Sequence, residues 1–145
     1  MAIKRDDFPL PDVDDPLTAP FFAGAAQEEL LIPRCETCHR YVWYPEDVCP
    51  HDRGRLAWTP VSGRGSLFTW AVVRRPFLPA FEDRVPFVTA LVALEEDPAV
   101  RLCTYVVGTA PEDLTADAPV AVEFRPLEFA TVPGKSVIVP MFALT

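Results

Sequence analysis

The residues of this chain best suited to chemistry are three closely spaced cysteines. Cys35-Glu-Thr-Cys38 is a complete C-x2-C pair. Ten residues later Cys49-Pro-His-Asp52 repeats the spacing, with a carboxylate where the second thiol would stand. Two such knuckles bring four ligands to a tetrahedral zinc, and three of the four are in register here. Zinc also accepts carboxylate oxygen or imidazole nitrogen, so Asp52, His51 and His39 are the candidates for the fourth place, Asp52 being the one in register. The competing reading is a metal-free knuckle shaped by packing of Tyr41, Trp43, Tyr44 and Trp58. A catalytic zinc needs an open coordination position and a general base, and no neighbouring residue forms such a pattern, so the expected role of a metal is structural. Cys103, between Leu102 and Thr104 in a β-like run, is expected to be a small buried hydrophobe.

Elsewhere the chemistry is charge. From Arg34 to Arg75 there are seven arginines against four carboxylates, a balance of +3 inside a chain whose net charge is −8. That total disfavours binding of a polyanion by general attraction, but one basic zone suffices for a single phosphorylated ligand. Arg64 in Gly63-Arg-Gly65, read as a flexible loop, Arg74 and Arg75 at the end of a strand, and Lys135 after Gly134 are the candidates. Nothing pairs a nucleophile with a base. The two histidines flank the knuckle, Ser62, Ser66 and Ser136 lack a nucleophile-elbow setting, and no Gly-rich phosphate loop joins a strand to a helix.

These side chains need a scaffold, and its elements are legible from pattern. Residues 1–17 read as an extended, Asp- and Pro-rich arm. Residues 18–31 read as a short amphipathic helix, with Thr18 as its cap, Pro20 in its first turn, and Phe21, Phe22, Ala25, Ala26 and Leu30 on one face. Residues 32–60 form the knuckle, without regular elements. Residues 61–145 hold five short runs rich in β-branched and aromatic residues: 67–73, 88–94, 100–107, 120–124 and 137–144. Five strands with a longer interruption before the fourth predict an OB-type barrel. The fold class is therefore mostly β: a short N-terminal helix, a zinc-ribbon-like knuckle and a five-stranded OB-type β-barrel. Seventeen prolines against six glycines favour short strands and fixed turns.

The opening Met-Ala-Ile-Lys-Arg-Asp-Asp lacks a signal-peptide core, and no apolar run reaches the length of a membrane span. A cytoplasmic location without membrane contact is expected. Thiols stay reduced there, which favours metal ligation over disulfides.

Taken in order, Phe21-Phe22, Cys35-x2-Cys38, Cys49-Pro-His51, Pro60-Val-Ser-Gly-Arg-Gly-Ser66, Arg75-Pro-Phe-Leu-Pro79, Val85-Pro-Phe-Val88 and Val106-Val-Gly108 before Pro111-Glu-Asp113 resemble the acyl-CoA-associated OB-fold family labelled domain of unknown function 35. The likeness covers nearly all of the chain after the arm. It implies a helical element, a rubredoxin-like zinc ribbon and an OB barrel, in an accessory subunit bound to a thiolase-superfamily enzyme as a hetero-oligomer. The partner would carry the reaction: thiolysis, acyl transfer, hydroxymethylglutaryl-CoA formation, or the hydration and aldol cleavage of sterol side-chain CoA esters. On this reading the chain is not an enzyme by itself. Zinc is its structural metal and acyl-CoA the ligand of the complex, with Arg64, Arg74, Arg75 and Lys135 as phosphate contacts and no nucleic acid bound. The departure from the family is the absent fourth cysteine. The alternative is a free-standing OB-fold binder of single-stranded nucleic acid or another small ligand, with Phe68, Trp70 and Tyr105 as stacking residues.

Overall fold

A computed structural model describes residues 5–145; the first four residues of the expected arm lie outside it. The rest of the arm lies on the protein itself. Leu10 is buried against Leu127, Phe129, Val139 and Met141, and Arg5 donates to its carbonyl at 3.1 Å.

The helix, α1 (Ala19–Ala26), is shorter than its apolar spacing predicts. Thr18 is buried and its side chain caps nothing. The turn that enters the helix is held instead by Asp15, whose carbonyl accepts the Thr18 and Ala19 amides. At the other end Glu28 takes a left-handed φ of 60°. The Glu29 amide then reaches the Gly24 carbonyl and the Glu28 amide that of Ala25. This paired closure satisfies the last carbonyls and stops the helix four residues before Leu30.

Leu30 instead begins a strand. β1 (Leu30–Cys35) pairs antiparallel with β2 (Leu56–Val61), Leu30 opposite Val61 and Cys35 opposite Leu56. The knuckle segment, expected to lack regular elements, thus hangs from a two-stranded sheet. Pairing brings its two ends together at Cys35.

The five expected strands form the barrel: β3 (Arg64–Val73), β4 (Phe87–Leu94), β5 (Arg101–Val106), β6 (Pro119–Leu127) and β7 (Val137–Leu144). They close in the order β3-β4-β5-β7-β6, with β6 returning to β3 through Arg64 opposite Ala121. All pairs are antiparallel except β5 with β7, which meet in parallel at Val106 and Phe142. Inward residues alternate along the strands as the pleat demands. Leu67, Val92, Leu94, Leu102, Val120 and Phe142 are almost wholly buried and form the centre of the core, joined by Leu30 and Ile32 of β1. The two-stranded sheet that carries the knuckle is therefore anchored on the barrel core through β1. Among the described residues no helix is long and apolar enough to cross a membrane.

Gly63 and Gly65 serve close approach rather than flexibility. Gly63 turns the chain from β2 into β3 at φ +79°, and a Cβ on Gly65 would stand 2.3 Å from the Ala93 carbonyl oxygen. Gly65 sits inside β3, so Arg64 is the first residue of a strand and not the tip of a mobile loop.

Candidate metal centre and an apolar groove

The knuckle is built twice. In the first half the His39 amide donates to the Cys35 carbonyl, and the Cys35 amide to that of Arg40. In the second half Arg53 and Gly54 make the same bonds to Cys49. His39 and Arg53 both take φ of 62°. Residues 35–40 and 49–54 are thus two copies of one backbone turn, and Asp52 occupies the position that Cys38 holds in the other copy.

Donor geometry follows from this pseudo-symmetry. One ligand atom from each of Cys35, Cys38, Cys49 and Asp52 lies within 4.8 Å of all the others. A tetrahedral zinc, with bonds of about 2.3 Å to sulfur and about 2.0 Å to oxygen, sets sulfur pairs about 3.8 Å apart and sulfur–oxygen pairs about 3.5 Å apart. Cys38 Sγ and Cys49 Sγ are separated by 3.7 Å, and Cys35 Sγ and Asp52 Oδ1 by 3.4 Å. The donor set fits the ion. Neither histidine belongs to the group, and His51 instead accepts a 3.0 Å hydrogen bond from Arg40 at the surface.

The backbone also favours anionic sulfur. The amides of Thr37 and Cys38 point at Cys35 Sγ, and that of His51 at Cys49 Sγ, each at 3.4 Å. The Cys38 amide, then that of Thr37, holds the Cys35 thiol below its usual range despite burial. At Cys38 the Arg40 amide favours the thiolate, but burial and the neighbouring Cys35, Cys49 and Asp52 outweigh it and push the thiol up to about 11. Asp52 accepts from the Gly54 amide at 2.8 Å, which holds its carboxyl below the usual range. A cation at the centre would relieve the crowding that keeps Cys38 protonated.

The aromatic residues that could shape a metal-free knuckle do not fill it. Among the described residues its apolar cluster consists of Val42 and Leu56 beside the three cysteines. Tyr41 and Trp43 pack on the barrel core, Tyr44 is exposed, and Trp58 on β2 is half-buried beside Pro33 and Leu56, outside the cysteine cluster.

The four basic candidates are not brought together. Arg64 opens β3 and its Nε lies 3.1 Å from Glu95. Arg74 and Arg75 follow the far end of that strand, ten residues and roughly 30 Å along it. Arg74 stands 4.0 Å from Glu112. Lys135 lies in the β6–β7 loop, beside Asp83, Glu128 and Ser136. The three stacking candidates part as well: Trp70 packs on the barrel core, Tyr105 joins the second apolar cluster, and Phe68 sits under Arg101 at 3.8 Å.

A feature that sequence reasoning missed is an apolar groove of about 400 Å³ where the arm, α1 and the knuckle meet β5 and β7. Pro9, Phe22, Trp43, Tyr105, Leu127 and Pro140 are among its walls. Cys103 lies on it too, exposed rather than buried, because its position on β5 points out of the barrel. Burial raises the Tyr105 phenol above its usual range, keeping it neutral. The groove joins segments far apart in sequence. Its one local signal is Phe21-Phe22 at a helix start.

Residues 22–58 match the family model described as the ChsH2 rubredoxin-like zinc ribbon domain, and residues 58–125 match that of the ChsH2 C-terminal OB-fold domain. A probable enoyl-CoA hydratase alpha subunit of Thermomonospora curvata is 37% identical over 106 residues, 72% of this chain but 32% of that protein. A DUF35 domain-containing scaffold protein of Methanocaldococcus jannaschii is 30% identical over 95 residues, 63% of this chain and 64% of that one. The chain thus spans about a third of the first relative and just under two thirds of the second. Among solved structures, a chain of the Ltp2-ChsH2(DUF35) aldolase superposes with a TM-score of 0.77 at 30% identity, covering 92% of this chain and 98% of that one. A DUF35 protein of Sulfolobus solfataricus shares the fold at 12% identity, with a TM-score of 0.57 and 90% and 86% of the two chains covered. With both of its domains matched in order and one solved relative matched end to end, the chain belongs to the ChsH2-type DUF35 family, a zinc ribbon followed by an OB barrel.

Proposed function

We propose that this chain is a non-catalytic accessory subunit that docks on a thiolase-superfamily enzyme and helps it bind and channel an acyl-CoA ester. The observation that carries this reading is the end-to-end match to one chain of the Ltp2-ChsH2(DUF35) aldolase, a protein named as a two-component assembly. The names of the other relatives, a hydratase subunit and a scaffold protein, point the same way. The chemistry of the chain agrees. Among the described residues Ser62 bonds to Glu95 and Glu96 with no imidazole near, and both histidines lie on the knuckle surface.

Cys35, Cys38, Cys49 and Asp52 would hold a zinc ion whose contribution is to fix the knuckle, with no part in a reaction. The groove has the size and apolar lining suited to a pantetheine or acyl arm. Of the basic candidates, Arg74 and Arg75 are the adjacent pair and so the best placed to meet CoA phosphates; Arg64, tied to Glu95, and Lys135 are secondary. Thiolysis, acyl transfer, hydration and aldol cleavage are the reactions open to the partner.

Tagged chain expressed in its native host should carry with it a thiolase-superfamily subunit at fixed stoichiometry, identified by mass spectrometry. Recovery of the chain free of any such enzyme overturns the proposal. In the complex, replacing both Arg74 and Arg75 by Ala should raise KM for the CoA ester at least about tenfold, since one charge-assisted hydrogen bond contributes roughly 1.5–3 kcal/mol.

A further inference from the structure

The loop between β3 and β4 displays its apolar residues instead of hiding them. Arg74 to Pro79 are six consecutive exposed residues. At their centre Phe77 is 83% exposed, the highest value among the exposed large hydrophobic side chains, and Leu78 is 42% exposed. Four residues on, Phe81 is treated in the opposite way. Its ring lies 5.7 Å from that of Phe87 and 5.4 Å from that of Phe129, and Ala80 beside it is buried. The loop therefore reaches the apolar cluster and seats one phenylalanine in it while holding the other out.

The tip is also stiff. Pro76 and Pro79 fix their own φ angles. The Phe81 amide closes on the Leu78 carbonyl at 3.0 Å, and those of Glu82 and Arg84 on Pro79 and Phe81 at 3.2 and 3.0 Å. Arg84 then clamps the base, with its guanidinium 4.5 Å over Phe129 and Nη2 donating to the Glu128 carbonyl at 2.7 Å. An aromatic side chain on a preorganised loop loses little freedom on docking, and Phe and Arg are common anchors of buried interfaces.

Charge identifies the occupant. Among the described residues Arg75 has no carboxylate within ion-pair reach, and Arg74 only Glu112 at 4.0 Å, in a chain of net charge −8. The surface that meets this tip must offer an apolar recess with negative charge at its rim. An extended anionic lipid surface fits poorly, because it would also meet exposed Glu82 and Asp83, which follow the tip directly, whereas a localised phosphate need face only the arginines.

We infer that Phe77 and Leu78 seat in an apolar recess beside the CoA entrance of the partner enzyme, with Arg74 and Arg75 facing the phosphates of bound CoA. Binding of CoA and of this subunit then strengthen each other by the same factor, as linkage requires. The inference rests on the accessory-subunit reading for the class of partner and adds the docking site and its coupling to ligand.

The test is the dissociation constant of the purified chain for the co-purified enzyme, measured with and without CoA. For wild type, CoA should tighten assembly about tenfold. The double variant F77A/L78A should weaken assembly at least about thirtyfold, in CoA and without it, at unchanged thermal stability because both side chains are exposed. The variant R74A/R75A should assemble like wild type without CoA and lose the CoA effect. Wild-type affinity in F77A/L78A, a wild-type dissociation constant indifferent to CoA, or Phe77-dependent binding of the isolated chain to phosphatidylserine vesicles would each overturn the inference and leave the accessory-subunit reading standing. Failure of wild type to retain any thiolase-superfamily enzyme removes that reading and this one together.

Discussion

Replacing Asp52 tests the knuckle most directly. Because residues 49–54 repeat the backbone of residues 35–40, a cysteine at position 52 enters a turn already shaped for one. A structural zinc site in a small knuckle is worth about 10–16 kcal/mol near neutral pH, so each of four ligands carries about 3 kcal/mol, roughly a hundredfold in dissociation constant. Asp52→Ala should weaken zinc binding by about that factor. At a fixed free zinc concentration well above the dissociation constants, the loss appears as about 2.7 kcal/mol of stability, or a Tm lower by about 5–10 °C for a chain of this size. Asp52→Cys should move both quantities the other way.

Two measurements read this. Competition with a chromophoric chelator gives the zinc affinities. Cobalt substitution counts the sulfurs, since thiolate-to-metal charge transfer should grow by about one third when three thiolates become four. The reasoning is refuted if Asp52→Ala binds zinc as wild type does, for then the fourth ligand is elsewhere, or if purified chain holds far less than one zinc per molecule and folds unchanged in chelator.

Three further expectations follow from the structure. On the proposed accessory role, the isolated chain should show no thioester cleavage, hydration or aldol cleavage of acyl-CoA esters, and turnover that survives rigorous purification would contradict that proposal. Gly65→Ala should cost at least about 2 kcal/mol in chemical denaturation, because the added carbon meets the Ala93 carbonyl of the paired strand, which cannot move without opening the β3–β4 ladder. Burial raises the Tyr105 pKa above its ordinary value of 10.0, so its contribution to stability is intact below that pH and is lost as pH rises through the folded value; in Tyr105→Phe the alkaline loss of stability should be smaller, as read by melting temperature from pH 9 upward.

The barrel was legible because each strand carries its own signal. Val88-Thr-Ala-Leu-Val-Ala-Leu94 and Val137-Ile-Val-Pro-Met-Phe-Ala-Leu144 are apolar runs bounded by turn residues, and their lengths suit strands closed on one core. β1 and β2 were not legible for a physical reason. Leu30-Leu-Ile-Pro-Arg-Cys35 and Leu56-Ala-Trp-Thr-Pro-Val61 are six-residue runs each interrupted by a proline, without the longer apolar run that makes β7 recognisable despite its own Pro140. The spacing of Leu30 from Ala26 fits a helical face, yet the left-handed turn at Glu28 breaks the helix between them, and glutamate seldom announces that conformation.

The candidate site divides in the same way. The candidate metal ligands lie within eighteen residues and repeat a known spacing, so their grouping is legible in sequence; the groove is assembled from the arm, the helix, the knuckle and strands of the barrel, and only the closed fold brings these together. The two parts nevertheless touch. Trp43, three residues after Arg40 closes the first knuckle turn, places its ring 5.2 Å from Phe21, and Phe21 meets Phe22 at 5.3 Å; all three line the groove. The knuckle interior is too small to hold its shape by apolar burial, with Val42 and Leu56 beside the cysteines among the described residues. Trp43 is thus held from two sides, by its packing on the barrel core and Phe21 and by its short tether to the first knuckle turn. A structural metal at the knuckle would in this way steady one wall of a groove that contains none of its ligands.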